Sequence, residues 1–190
     1  MSFLRIQHIK GAEYINIEKV YKPNGILYKC YAGSREDIYQ KLQLLYVVRF
    51  SNFHKGIVYN EIGSEIGNVQ GRSREWYYSP SIYYDDDLPL HVTLYDFPTL
   101  NASFSNIHVN IDDAVYKSEK PRPKGWNDLH LDFGYLNKCM SSSKNNFKLM
   151  NQEGNLVMMS CKLLKNNSYH CVSNLHNLHS FLIFCIKDFA

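Results

Sequence analysis

S-N-L-H-N-L-H-S-F-L-I-F-C-I-K-D-F, residues 173–189, is the stretch on which the fold turns. Leu175, Leu178, Leu182 and Ile186 recur at helical spacing, and Phe181, Ile183, Phe184 and Cys185 fill much of the remaining circumference. A helix apolar nearly all round has no face to give to water and must be buried. At about 1.5 Å per residue, a helix of roughly fifteen residues is about 22 Å long, too short to span a bilayer. It therefore needs a protein sheath. Ser173 or Asn174 is placed to cap its start, and Lys187 suits the negative end of its dipole.

The sheath has to come from upstream, and upstream reads as strands. Residues 14–21, Y-I-N-I-E-K-V-Y, alternate apolar and polar, and Pro23-Asn24-Gly25 makes a turn before a second strand at 26–31. The apolar run Leu42–Phe50 is expected to be a central strand. Gly63, Gly67 and Gly71 read as turns between short strands, and Pro80 demotes the aromatic run 76–84 to an edge or bulged strand. Residues 90–95 and 104–111 alternate, 117–124 is a basic, proline-broken loop, and 126–133 returns to strand. The segments 147–150 and 156–164 flank N-Q-E-G-N as a hairpin, and 169–172 is a last strand before the helix. Many short strands followed by one buried helix predict a mainly β fold. A closed antiparallel β-barrel around its C-terminal helix solves the edge-strand problem and buries the helix together.

Composition is compatible with one domain over residues 1–190. The chain has 45% hydrophobic residues, with 21 basic and 18 acidic side chains, so any basic site has to be a local patch. The five cysteines are odd in number and form no C-x-x-C pair, which points to a reduced, intracellular protein. No transmembrane segment is expected, so membrane contact would be peripheral.

The segment Lys120–Gly134, K-P-R-P-K-G-W-N-D-L-H-L-D-F-G, then S-S-K-N-N-F-K-L-M at 142–150, G-N-L-V-M-M at 154–159 and L-H-N-L-H-S-F-L-I-F at 175–184 resemble, in order and spacing, the C-terminal signature of tubby-like proteins. The matching residues include Trp126, Asn127, Asp128, Phe133, Gly134, Lys144, Asn145, Phe147, Leu149, Leu178, Phe181 and Ile183. The resemblance implies a closed antiparallel barrel threaded by its C-terminal helix. It also implies a non-enzymatic, cofactor-free, monomeric module that binds phosphoinositides, notably phosphatidylinositol 4,5-bisphosphate, through a basic cleft on the barrel wall. The implied setting is the cytoplasmic face of the plasma membrane, with membrane-protein cargo and the cilium or nucleus as further associations of the family.

Four residues are the candidates for headgroup contact: Arg49, Lys55, Arg72 and Arg74. Guanidinium forks and an ammonium group converging from adjacent strands would neutralise a bisphosphorylated ring with charge-assisted hydrogen bonds. The chain also departs from the family. Its dense basic strand end is reduced to Arg49 and Lys55, and its Ile-Gly-Lys-Leu-Arg-Ser-Asn strand becomes Ile66-Gly67-Asn68-Val69-Gln70, with Arg72 two residues out of register. A barrel that has lost the lipid site and serves as a protein-interaction module is therefore the alternative.

Other constellations have plainer readings. Lys117, Lys120, Arg122 and Lys124 make a surface connection, and His170, Cys171, His176 and His179 fit no zinc spacing, which leaves helix-entrance caps as the better account. Trp76, Tyr77, Tyr78, Tyr83 and Tyr84 could stack nucleic-acid bases, but core and wall packing is the commoner use of such rings. Asp85–Asp87, Asp112 and Asp113 form no D-x-D-x-D-G loop, and no nucleophile or phosphate-loop motif is present.

Overall fold

The computed structural model describes residues 9–81, 88–95, 106–120, 122–124, 128–143, 145–165 and 167–190, with the backbone alone for 122–124 and 128–130. Along the chain run β1 (Glu13–Lys22), β2 (Gly25–Ala32), β3 (Leu44–Phe50), β4 (Lys55–Asn60), β5 (Glu65–Arg72) and β6 (Glu75–Pro80). There follow β7 (Leu90–Tyr95), β8 (Asn106–Ile111), β9 (Ala114–Ser118), β10 (Arg122–Lys124) and β11 (Asp128–His130). A 3-10 turn (Gly134–Leu136), β12 (Met140–Ser141), β13 (Phe147–Met150), β14 (Leu156–Leu163), β15 (Ser168–Ser173) and α1 (Asn177–Phe189) complete the fold. Among the described residues no helix is long and apolar enough to cross a membrane.

The strands close on themselves. From β14 the order runs β13-β9-β8-β7-β6-β5-β4-β3-β2-β1-β15, and β15 pairs back onto β14 to give a twelve-strand antiparallel barrel. Closure is carried by Glu13↔Ser173 through Glu18↔Ser168 on one side of β15 and Met158↔Ser173 through Lys162↔Tyr169 on the other. The first strand thus seals the wall beside the last, leaving no long open edge among the described residues of the barrel. β12 extends the β13 edge of β14, and β10 pairs with β11 apart from the barrel.

The helix fills the lumen as its sequence requires. Leu178, Phe181, Leu182, Ile183, Phe184, Cys185 and Ile186 are each 0% exposed and join one core with the inward residues of the strands. Burying each such side chain is worth about 1.5–3 kcal/mol. The start differs from expectation: His176 is the cap, its Nδ1 accepting from the Leu178 N–H at 3.3 Å. Ser173 is already the last residue of β15, where its Oγ accepts from the Leu175 N–H and from the Ser180 hydroxyl.

Four further expectations are corrected. Gly67 and Gly71 lie inside β5 instead of forming turns, because aromatic rings from β6 lie flat across the strand. A Cβ on Gly67 would fall 2.5 Å from the Tyr78 ring, and one on Gly71 would fall inside the Trp76 indole. Pro80 does not make β6 an edge; β6 pairs with β5 and β7, and the β7 ladder stops at Tyr78↔Leu90, so the missing proline N–H breaks nothing. The basic segment is partly strand, with Lys117 in β9 and 122–124 in β10; of the strand expected at 126–133, the described part is strand over Asp128–His130 and not over 131–133. Trp126, Asn127, Lys144, Tyr83, Tyr84 and Asp85–Asp87 lie outside the described residues.

A second core lies on the outside of the wall. Met159, Cys161, Leu163 and Val172 face away from the helix and are covered by Leu131, Phe133, Leu136 and Ile9, with Ile38 and Tyr39 packed alongside. Every residue of β15 is consequently buried, whereas β6 alternates buried and exposed over Glu75–Ser79.

Candidate functional site

β3 to β6 present a single-layered wall: Val48, Phe50, Val58, Val69, Trp76 and Tyr78 point at the helix and the intervening residues point to solvent. Arg49, Lys55 and Arg72 are exposed on that outer surface, and Arg74 is exposed in the turn joining β5 to β6. The register fixes their spacing. Arg49 lies opposite Ile57 and so diagonal to Lys55; Lys55 lies opposite Gln70 and so diagonal to Arg72. Diagonal pairs on one face are about 7–8 Å apart, within reach of long side chains. From Arg49 to Arg72 the path crosses two strands and four residues, on the order of 16 Å at usual sheet spacings. Arg49, Lys55 and Arg72 therefore form a stripe climbing toward one rim of the barrel, and Arg74 lies in the turn at that rim. Arg72 lies opposite Glu75 across the β5–β6 ladder, and the Glu75 carboxylate is 3.8 Å from the His91 Nε2.

A residue not singled out from sequence joins the lower end of the stripe. Arg49 lies opposite Leu27 on β2, and Lys22 pairs with Gly25 at the end of β1. Lys22, Pro23, Asn24, Gly25, Ile26, Leu27 and Arg49 line a cleft of about 280 Å³. Gly25, at φ 143°, makes it possible, since a Cβ there would collide with the Phe50 carbonyl. Lys22 precedes a recognisable turn, but its neighbourhood with Arg49 depends on the β1-β2-β3 order.

The remaining candidates sort differently. Lys117 lies on β9, halfway round the barrel from β3, beside a second cleft lined by Val115, Lys117, Met150, Asn151 and Gln152. The side chains of Arg122 and Lys124 are outside the described residues. Trp76 and Tyr78 are core, and Tyr77, 47% exposed, stacks on His91 with ring centres 4.3 Å apart. His170 and Cys171 sit on opposite faces of β15: Cys171 belongs to the lumen core, while the His170 ring stacks against Tyr14 on the outside. His176 caps the helix and the His179 Nε2 meets the Leu88 carbonyl at 2.8 Å, so these four side chains do not converge.

Two buried polar networks were not anticipated. Asp188, in the last turn of α1, would oppose the helix dipole, and it is held by Lys19 at 2.7 Å, by the Tyr28 hydroxyl at 2.6 Å and by the Asn145 amide. The nearby carboxylate outweighs the burial that would lower it and holds the Lys19 ammonium above its usual range. Lys148, 1% exposed, spans the Glu119 carboxylate at 2.8 Å and the Asp132 carbonyl at 2.8 Å, fastening the outer covering to β13. Both networks are occupied by the chain itself and serve as internal ties.

No family model matches the chain, and no curated protein matches it. Among solved structures, an X-ray structure of a protein from Arabidopsis thaliana is similar at a TM-score of 0.47 and 12% sequence identity, over 93% of this chain and 89% of that one.

Proposed function

We propose that this barrel is a tubby-like, non-enzymatic module that recruits itself, and any cargo it carries, to phosphoinositide headgroups at the cytoplasmic face of a membrane. The observation that carries the reading is the juxtaposition of Lys22, Arg49 and Lys55 around and beside one surface cleft, on a sector of wall whose outward face is exposed at these three residues. A bisphosphorylated inositol brings several negative charges on a small ring. Two cations diagonal on adjacent strands, with a third across the cleft, suit it better than a single fork would. The C-terminal motif likeness supports the same reading.

The test is co-sedimentation with vesicles carrying phosphatidylinositol 4,5-bisphosphate against phosphatidylserine vesicles of matched charge. The wild type should prefer the former, and Arg49→Ala/Lys55→Ala should lose the preference. Equal or absent binding to both vesicles would refute it. A second reading, a barrel retained as a protein-interaction module, is favoured by one observation: the stripe spreads over on the order of 16 Å, with Arg72 facing Glu75, instead of closing on a point.

A further inference from the structure

We propose that the barrel docks rim first, seating Tyr21, Phe53 and Leu164 in the interfacial layer of an anionic bilayer, with the C-terminal end of α1 facing the membrane. The proposal rests on the phosphoinositide reading and adds orientation and an apolar anchor to it.

Strand order places three hairpin tips side by side on one rim: the β14–β15 turn, the β1–β2 turn and the β3–β4 turn. Each tip carries one large apolar side chain facing solvent, Leu164 at 61%, Tyr21 at 66% and Phe53 at 85% exposure. Single exposed apolar residues are ordinary. Here, however, three recur on consecutive tips, and each has an exposed lysine within two residues: Lys165, Lys22 and Lys55. The next tip along the rim adds Arg72 and Arg74, and Glu75 is the one carboxylate of these four tips among the described residues. Aromatic and aliphatic tips interleaved with cations match the chemistry of a headgroup layer over acyl chains.

The opposite rim shows why charge decides the occupant. It also exposes apolar side chains, Ile62 at 79% and Leu42 at 51%. But its turns and strand ends carry Glu13, Glu36, Asp37, Glu61, Glu65, Asp112, Asp113 and Glu153 against Lys10, Arg35 and Lys41 among the described residues. An anionic leaflet repels that rim and attracts the other. The bare difference in apolar exposure would not orient the molecule, and the charge asymmetry does.

The experiment uses the whole chain with Phe53→Trp, and with Ile62→Trp as the opposite-rim control, on vesicles containing phosphatidylinositol 4,5-bisphosphate and acyl-brominated phosphatidylcholine. Emission is taken as the difference from wild type. The inference predicts a blue shift and quenching for Phe53→Trp and neither for Ile62→Trp. It also predicts that Tyr21→Ser/Phe53→Ser/Leu164→Ser binds about tenfold more weakly with an unchanged melting temperature, since all three side chains are exposed. A Phe53→Trp protein that sediments with the vesicles yet is not quenched overturns the rim-first inference and leaves the headgroup reading intact. Failure of the wild type to sediment at all overturns the headgroup reading, and this inference with it.

Discussion

The wall of the barrel is built in two ways. In the sector β3 to β6, inward residues are core and outward residues meet solvent, so the sheet has one dry face and one wet one. In the sector β14 to β15 both faces are dry, because residues 131–136 and the segment around Ile38 and Tyr39 are laid over the outside. The covered sector serves stability, and its outward face meets internal partners, as the His170 Nδ1 does at the Asn16 Oδ1. The bare sector is free to carry a surface, and it is there that Arg49, Lys55, Arg72 and Arg74 stand. Two sectors of one sheet thus do different work, according to what lies on their outer side.

What both sectors share is the helix, and the largest effect comes from attacking it. Phe181→Asp sets a charge at the centre of the lumen, and the variant should fail to fold. A soluble Phe181→Asp protein with a cooperative melt would break the account of either sector.

Next comes a variant that separates them. Leu136→Ala opens the outer core without touching the lumen, at a cost of about 2–4 kcal/mol in chemical denaturation. Limited proteolysis should then cut first in the overlying segments 33–43 and 131–140, with the β3–β6 sector unchanged. Uniform susceptibility along the chain would mean that the two sectors are not independent.

The covered sector should also carry an acid sensitivity that the bare one lacks. Burial lowers the His170 pKa from 6.5 to about 4. Its Nδ1 lies 2.7 Å from the Asn16 Oδ1, and its Nε2 has no partner among the described residues, so a second proton would have nothing to bond to. Because the folded value is the lower one, the neutral ring's stabilisation is whole above pH 6.5 and is lost as pH falls from 6.5 toward 4. At about 1.4 kcal/mol per pH unit the loss reaches about 3 kcal/mol. Melts of wild type and His170→Gln across pH 7.5 to 4 should converge at the acid end. Parallel curves would remove His170 from the account.

The smallest stability effect belongs to the surface stripe. Lys55→Ala should change stability by less than about 0.5 kcal/mol in denaturant titration, as an exposed cation on a solvated face. A larger loss would mean the bare sector is under structural load and not available as a site.

The division between sectors also explains what was readable in the sequence. Alternation survives where one face is wet, so Ile107, Val109 and Ile111 announced the inward side of β8, and the all-round apolar α1 announced a lumen. Residues 156–163 and 168–173 carry no clean alternation because both of their faces are covered. The covering includes Leu131 and Phe133, which read as part of a strand of their own, and nothing local says that they, Leu136 or Ile38 will lie on β14 and β15. The glycines at 67 and 71 misled for a related reason. Glycine inside a strand ordinarily weakens it, and the rings of Tyr78 and Trp76 that require the space belong to another strand. Asp188 finds Lys19, Tyr28 and Asn145 only once the barrel is closed, and Lys22 meets Arg49 only once β1 to β3 are in order. The four cations were visible as residue types, and their spread along the wall was not.

Hydrogen exchange of the whole protein, with and without vesicles containing phosphatidylinositol 4,5-bisphosphate, tests the division of labour between the sectors most directly. The account predicts that added protection falls on the tips at 21–25, 51–55, 72–75 and 164–165, with the overlying segments 33–43 and 131–140 and the acidic turns 61–64 and 112–113 unaffected. Protection centred on the covered sector or on the acidic rim would contradict it.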